Sequence, residues 1–176
     1  IPLYRLKGSL YRQLMDAETP QEMAAVIDMP RPDRFRIEQA SACVLLLDRI
    51  QDPGNLGTIL RTALAAGASF VGLGSGTVDP FNPKVIRSAA GALFHMPFAN
   101  VDLHDWILRL RQTGGYVVGT ALQAQEAHFD IAYPERVAFV LGNEGQGMSP
   151  ALLDRVDRHV RIPLVGKAES LNVAAA

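Results

Sequence analysis

The residues with the most chemical capacity fall in three stretches. In Val137-Ala138-Phe139-Val140-Leu141-Gly142-Asn143-Glu144-Gly145-Gln146-Gly147, a single carboxylate, Glu144, is bracketed by three glycines at the end of an apolar run. In Asn55-Leu56-Gly57-Thr58-Ile59-Leu60-Arg61-Thr62-Ala63, the amide of Asn55 precedes a permanent cation, Arg61, set among apolar neighbours. In Arg161-Ile162-Pro163-Leu164 and then Glu169-Ser170-Leu171-Asn172-Val173, a hydroxyl and a second amide flank Leu171. Flexible polar loops of this kind at the carboxyl edge of a sheet are where open α/β folds bind ligands. Each group also has a plain structural reading: a turn Asn, an outward-facing helix arginine, a solvated loop carboxylate, a Ser that caps a helix. The residues alone leave both readings open.

Other chemistries are poorly served. Gly72-Leu73-Gly74-Ser75-Gly76 follows a strand, but Thr77 stands near the place of the last glycine of a dinucleotide fingerprint, and Pro80 and Pro83 interrupt the helix that should begin there. No Lys-Ser or Lys-Thr follows Gly147, so that loop is not a P-loop. His95, His104, His128 and His159 are scattered without ligand spacing, and no metal is expected. The single cysteine, Cys43, adjoins Val44 to Leu47 and reads as a buried, inert thiol.

The elements that must position these groups can be traced along the chain. Its 176 residues, 48% hydrophobic and 20% charged, suit one globular domain plus a remnant. No apolar run approaches the roughly 20 residues of a membrane span and no signal peptide is evident, so a soluble, cytoplasmic protein is expected. A net charge of −1 argues against gripping a nucleic-acid backbone over the whole surface, although only three of the 17 cations are Lys and the rest are Arg, which suits local phosphate contacts.

The chain starts at Ile1 without an initiator methionine, which leads to the expectation that residues upstream have been removed. Ser9 to Met15 suggests a short helix, Thr19-Pro20 a turn, Met23 to Ile27 an apolar segment of open type, and Pro30-Arg31-Pro32-Asp33 a linker. From Cys43 onward strands alternate with helices. Strands are expected at Val44–Leu47, Ser69–Leu73, Met96–Val101, Tyr116–Ala121, Val137–Leu141 and Val160–Ile162. Helices are expected after Asp52-Pro53-Gly54-Asn55, from Pro83 to about Leu93, over Leu103–Arg111 behind an Asp102 cap, after Ser149-Pro150, and from near Ser170. This alternation predicts an α/β fold, a parallel sheet with helices on both faces.

The three stretches together closely resemble the SpoU (TrmH-like) branch of the SPOUT RNA methyltransferases. Asn55, Gly57, Ile59, Arg61 and Ala63, with Gly67 beyond, match its first motif. Leu141 to Gly147 match its Leu-Gly-Asn-Glu-Gly-x-Gly, and Ile162-Pro163 with Ser170-Leu171-Asn172-Val173 match its third. Asn82 to Ala92 resembles an internal segment of the family. The resemblance implies a C-terminal deep trefoil knot, an exception to the rule that chains do not thread loops, and a homodimer with its active site near the interface. It implies S-adenosyl-L-methionine as cofactor and methyl transfer to a ribose 2′-hydroxyl of rRNA or tRNA. Residues 1–40 then read as a linker or the remnant of an upstream RNA-binding domain, and 41–176 as the knotted catalytic domain, its last helix continuing two or three turns in the family beyond the point matching Ala176. A catalytically inactive knotted RNA-binding protein, or an enzyme of the same superfamily methylating a base, are the alternatives. The Ser-Leu-Asn motif resembles the ribose branch.

The resemblance also assigns roles. Thr120, Leu141, Gly142, Ile162 and Leu171 would contact the cofactor, mostly through main chain. Asn55, Glu144, Ser170 and Asn172 would orient the ribose, the sulfonium end and Arg61, and Arg61 would deal with the hydroxyl proton. A guanidinium is ordinarily never deprotonated in proteins. Either Arg61 gives up a proton when dehydrated beside the sulfonium and the RNA phosphate, or it stays charged and stabilises the developing alkoxide.

Overall fold

Six apolar residues in succession make β1, Ala42–Leu47, whose side chains alternate between the two faces of a sheet: Val44 and Leu46 point to one side, Leu45 and Leu47 to the other. A strand buried on both faces needs no polar positions, which is why its sequence shows no alternation. The structure is a computed structural model and describes residues 2–15, 19–28 and 42–176. The linker expected at Pro30–Asp33 and the boundary expected near residue 40 lie outside the described residues.

Asp52 caps α2 (Pro53–Ala65), its carboxylate accepting from the Asn55 backbone N–H while Pro53 opens the first turn. β2 (Phe70–Leu73), α3 (Pro83–Ala89), β3 (Phe98–Asn100), α4 (Leu103–Gln112), β4 (Tyr116–Thr120), β5 (Glu126–Ala127), β6 (Arg136–Leu141), α5 (Pro150–Leu153) and β7 (Arg158–Arg161) follow. The seven strands form one sheet in the order β3-β2-β1-β6-β4-β7-β5, and every pairing is parallel. The strands are laid outward from β1 to β3. The chain then returns to build β4 on the other side, and two later strands are inserted: β6 between β1 and β4, and β7 between β4 and β5. All carboxyl ends therefore share one edge.

α2 and α3 cover one face, where Ile59, Leu60 and Ala63 meet Leu47, Val71, Leu73 and Val85. α4 covers the other, with Leu103, Ile107 and Leu110 against Val44, Leu46, Phe70, Val117 and Val140. The Trp106 ring, only partly buried, stacks on Phe70 at 4.6 Å between centroids. Three elements differ from the sequence reading. α3 stops at Ala89 rather than near Leu93, because Ala90 and Gly91 both adopt left-handed backbone before a 3-10 turn at Ala92–Phe94. β5, a two-residue edge strand, carries no apolar run by which it could be found. No helix starts near Ser170; the chain makes a single turn after Asn172, whose side chain accepts from the Ala174 N–H.

Residues 1–31 form a compact unit separate from 32–176. In it α1 (Gly8–Leu14) matches the expected short helix, yet it buries none of its residues, and Leu10 and Leu14 are exposed. Met23 to Ile27 has no regular structure. No helix among the described residues is long and apolar enough to cross a membrane.

The contact of α2 with α3 is set by Gly57. A Cβ there would stand 1.9 Å from Ser88 Oγ and 2.7 Å from the Val85 carbonyl oxygen. Because the second obstacle is backbone, Gly57→Ala is expected to lower stability by about 2–3 kcal/mol, as overpacked sites do. Chemical denaturation measures this, and an unchanged midpoint would show that the helices do not cross so closely.

Candidate active site

Four neighbouring strands, β1, β6, β4 and β7, deliver their following loops to the shared edge, which is how segments far apart in sequence come to line one place. Asn55 belongs to the first turn of α2 rather than to the loop before it. Helical geometry there leaves its side chain facing the loop after β6, and Glu144 of that loop meets it.

The Glu144 carboxylate accepts four hydrogen bonds: from the Gln51 and Asp52 backbone N–H groups at 3.3 and 3.1 Å, from Asn55 Nδ2 at 3.1 Å, and from Asn143 Nδ2 at 3.3 Å. Burial acts to raise its pKa, but its own backbone N–H, the Asn55 amide and the Asp52 and Gln51 N–H groups together outweigh that and hold it below the ordinary carboxylate value. An ionised carboxylate can only accept. Asn55 must therefore turn its NH₂ to Glu144 and its oxygen away, and that oxygen accepts from Asn172 Nδ2 at 3.0 Å. Asn172 in turn uses its oxygen to cap the final turn. Three of the five expected catalytic residues, Asn55, Glu144 and Asn172, thus form one hydrogen-bonded chain of fixed polarity. Glu144 has its lone pairs engaged by the protein, which suits it to hold the loop rather than to take a proton.

The loop itself is tight. Asn143 and Gly147 exchange backbone hydrogen bonds at 3.0 and 2.9 Å, and Asn143 Oδ1 accepts from the Gly145 and Gln146 N–H groups. Gly142 is obligatory, since a Cβ would lie 2.1 Å from both the Gly147 carbonyl carbon and the Met148 nitrogen. Sequence reasoning did not single out Asp48, Arg49 or Asn143. Asp48 is 4% exposed and accepts from the Ser149 N–H at 2.6 Å, so it ties the end of this loop to the end of β1. A carboxylate directly following a wholly apolar strand was the available signal, because such a group is buried only when its oxygens have partners.

A cavity of about 270 Å³ opens beside this network. Thr120, Leu141, Gly142, Ile162 and Leu171, the five expected cofactor contacts, all line it, together with Glu144 and Ser170. Leu141 gives its carbonyl to the Asp48 N–H, and Thr120 Oγ1 donates to the Val140 carbonyl at 3.1 Å. A second, more apolar cavity of about 300 Å³ lies against α2, with Cys43, Tyr133, Phe139 and Ala63 in its wall, and shares Thr120, Leu141 and Ile162 with the first. Cys43 is half-buried rather than buried, and burial pushes its thiol pKa up, which keeps it protonated. Arg61 stands apart: it is exposed on α2, lines neither cavity, and has no hydrogen-bond or ion-pair partner among the described residues. Nor do any three His, Cys, Asp or Glu side chains among the described residues gather as a metal site requires.

The depressed Glu144 pKa has a defined pH signature. Its contribution is fully present above the ordinary carboxyl value of 4.5 and is lost as pH falls through the lower folded value. Glu144→Gln presents an NH₂ to groups that are all donors. It should cost on the order of 1 kcal/mol at neutral pH, the modest end for charged hydrogen bonds because the group is solvent-open. The deficit should shrink once wild type itself is protonated. Denaturation midpoints of both proteins above and below pH 4.5 test this, and a deficit independent of pH would contradict it.

A sequence profile of the SpoU rRNA methylase family matches residues 42–176. Over all 176 residues the chain is 44% identical to the 23S rRNA (guanosine(2553)-2′-O)-methyltransferase of Bacillus subtilis strain 168, spanning 69% of that protein. Among solved structures it is similar to the SpoU methyltransferase AviRb of Streptomyces viridochromogenes in complex with AdoMet, at 35% identity and a TM-score of 0.75, with 84% of this chain and 58% of that one covered. It is likewise similar to an AdoMet-bound rRNA methyltransferase of Sinorhizobium meliloti, at 38% identity and a TM-score of 0.72, covering 78% and 53%. The chain thus spans between about half and two-thirds of the length of these relatives. The parallel sheet, the motif residues gathered at its carboxyl edge and the match from the first strand to the last residue lead to one assignment: the chain belongs to the SpoU rRNA methylase family.

Proposed function

We propose that this protein transfers a methyl group from S-adenosyl-L-methionine to a ribose 2′-hydroxyl of a structured rRNA or tRNA in the cytoplasm. The observation that carries this reading is the convergence of Thr120, Leu141, Gly142, Ile162 and Leu171 on one cavity that Glu144 also lines, itself hydrogen-bonded to Asn55 and through it to Asn172. The lining fits such a cofactor. Leu141, Ile162, Leu164 and Leu171 offer apolar surface for a purine, backbone polar groups of 142–147 and 121–123 surround them, and the ionised Glu144 is of the sign that favours a cation nearby. When bound, the cofactor supplies an electrophilic methyl carbon: the ribose oxygen bonds to it, the carbon–sulfur bond breaks, and the sulfonium becomes a neutral thioether.

The chain's own residues must then orient the hydroxyl and deal with its proton. Glu144 is saturated with donors and stays ionised, so it is not the base. Asn55 and Asn172 hold fixed polarities toward each other and supply orientation. Arg61 carries free donors and is the residue to meet the ribose and its phosphate. The deep trefoil knot belongs to the same reading. Its support here is the insertion of β6 and β7 between strands already laid and the return of residues 162–176 to the loop after β6. So does a homodimer with its active site near the interface. Sedimentation should give twice the chain mass, and a monomer at micromolar concentration would exclude it.

Calorimetry with S-adenosylhomocysteine is expected to show one site per chain, unchanged by a chelator; absence of heat sinks the cofactor reading. Arg61→Ala should bind that ligand like wild type and lose turnover by about 10²-fold or more on a verified RNA, the scale for removing a group that stabilises a developing oxyanion. Arg61→Lys separates the two roles. Activity that recovers as pH rises marks a proton acceptor, whereas little rescue at any pH marks stabilisation by the guanidinium fork. Near-normal methylation by Arg61→Ala would return Arg61 to an ordinary surface arginine.

A further inference from the structure

Arg49 is one of only two non-glycine residues with positive φ among the described residues, at φ 59°. Left-handed backbone is unfavourable for a residue with a Cβ, and it persists where surrounding contacts over-determine it. Here they do. The guanidinium Nη1 donates to Gln146 Oε1 at 2.9 Å and Nη2 to the Gly147 carbonyl at 3.2 Å, while Nε pairs with the buried Asp48 at 3.1 Å. The Arg49 carbonyl accepts from Asn143 Nδ2 at 2.9 Å. The aliphatic stem is packed from behind by Gly76, where a Cβ would come within 3.1 Å of Arg49 Cγ. Both the backbone and the side chain of one residue therefore grip residues 143, 146 and 147, and the Asp48 carboxylate that Arg49 contacts also accepts from the Ser149 N–H. Arg49 itself lines neither cavity, but Asn143, Gln146 and Gly147 all line the smaller one.

We infer that Arg49 is a positioning residue: its left-handed backbone and three-way guanidinium pin the loop 143–149 in the shape that walls the cofactor cavity. The planar fork is what the task requires. Acceptors lie in three directions, a carboxylate, a side-chain amide oxygen and a backbone carbonyl, and an ammonium cannot reach all three from one stem. The same turn that places the Arg49 side chain aims the Gln51 and Asp52 N–H groups at Glu144, so the pin and the Glu144 network brace one loop from two sides.

The affinity side of this inference rests on the cofactor reading above, so the test keeps the two apart. Amide hydrogen exchange of the ligand-free protein and S-adenosylhomocysteine affinity are to be measured for wild type, Arg49→Gly and Arg49→Lys. Glycine accepts the left-handed backbone and keeps the carbonyl that Asn143 contacts, so Arg49→Gly removes the guanidinium's part of the grip without straining the turn. It should raise exchange at Gly145, Gln146, Gly147 and Ser149 by about tenfold or more while α2 and β1 keep their protection, and weaken the ligand about tenfold. Arg49→Lys, which keeps the charge but gathers its donors on a single nitrogen, should recover part of both. Unchanged loop exchange in Arg49→Gly overturns the pin. A loosened loop with wild-type affinity overturns its role in binding. If wild type binds no S-adenosylhomocysteine, the cofactor reading falls and the binding role with it, while exchange still decides whether Arg49 holds the loop.

Discussion

The Glu144 carboxylate joins its own loop to the end of the loop after β1 and the adjoining first turn of α2, about ninety residues earlier in sequence, and it imposes a direction on each. Having no proton to give, it requires the loop after β1 to present backbone N–H groups, α2 to present the NH₂ of Asn55, and its own loop to present that of Asn143. The requirement passes outward through Asn55 to Asn172, so the last turn of the described chain takes its orientation from a charge two contacts away. Each bond is modest and partly open to water. Their common dependence on one ionised group is what makes the arrangement a unit.

That unit exists because of strand order. β1 and β6 are neighbours in register, with Leu47 opposite Leu141, although almost a hundred residues separate them, and the loops that follow them meet where the strands stop. Tight packing then leaves little latitude. Gly142 passes against the Gly147–Met148 backbone at a separation that admits no side chain, and Gly119 beneath lies so close to Met148 that an added Cβ would be 2.5 Å from its Cε. The glycines around Glu144 thus have different duties: Gly142 is required by close approach and Gly147, at φ 69°, by backbone conformation, while Gly145 has ample room.

The chemistry proposed for the site divides its charged groups by whether the protein satisfies them. Glu144 and Asp48 are fully engaged in holding loops, as is Arg49. Arg61 is left to solvent. A charge already bonded within the protein adds rigidity and little else, whereas an unpaired one on a rigid helix keeps its donors for an incoming polyanion.

Much of this was legible from residue order. The apolar runs at Val44–Leu47 and Val137–Leu141 have the length and pattern of strands covered on both sides, and Asp52-Pro53 and Asp102 cap helices through local bonds that need no tertiary partner. Local spacing also carried the three motifs, because each lies within a single strand-to-helix or loop segment. What residue order could not supply was the partner of each polar group. Nothing in Asp48-Arg49 signals a left-handed pin, since two of its three acceptors, Gln146 and the Gly147 carbonyl, lie nearly a hundred residues away. The edge strand Glu126–Ala127 exists only because β7 offers it a ladder. The turn after Ser170 begins at Asn172 instead, where the side chain is already held by Asn55. Periodicity and capping act over a few residues and are written locally; hydrogen-bond polarity and the choice of neighbours are settled only when the parallel sheet brings distant loops to one edge.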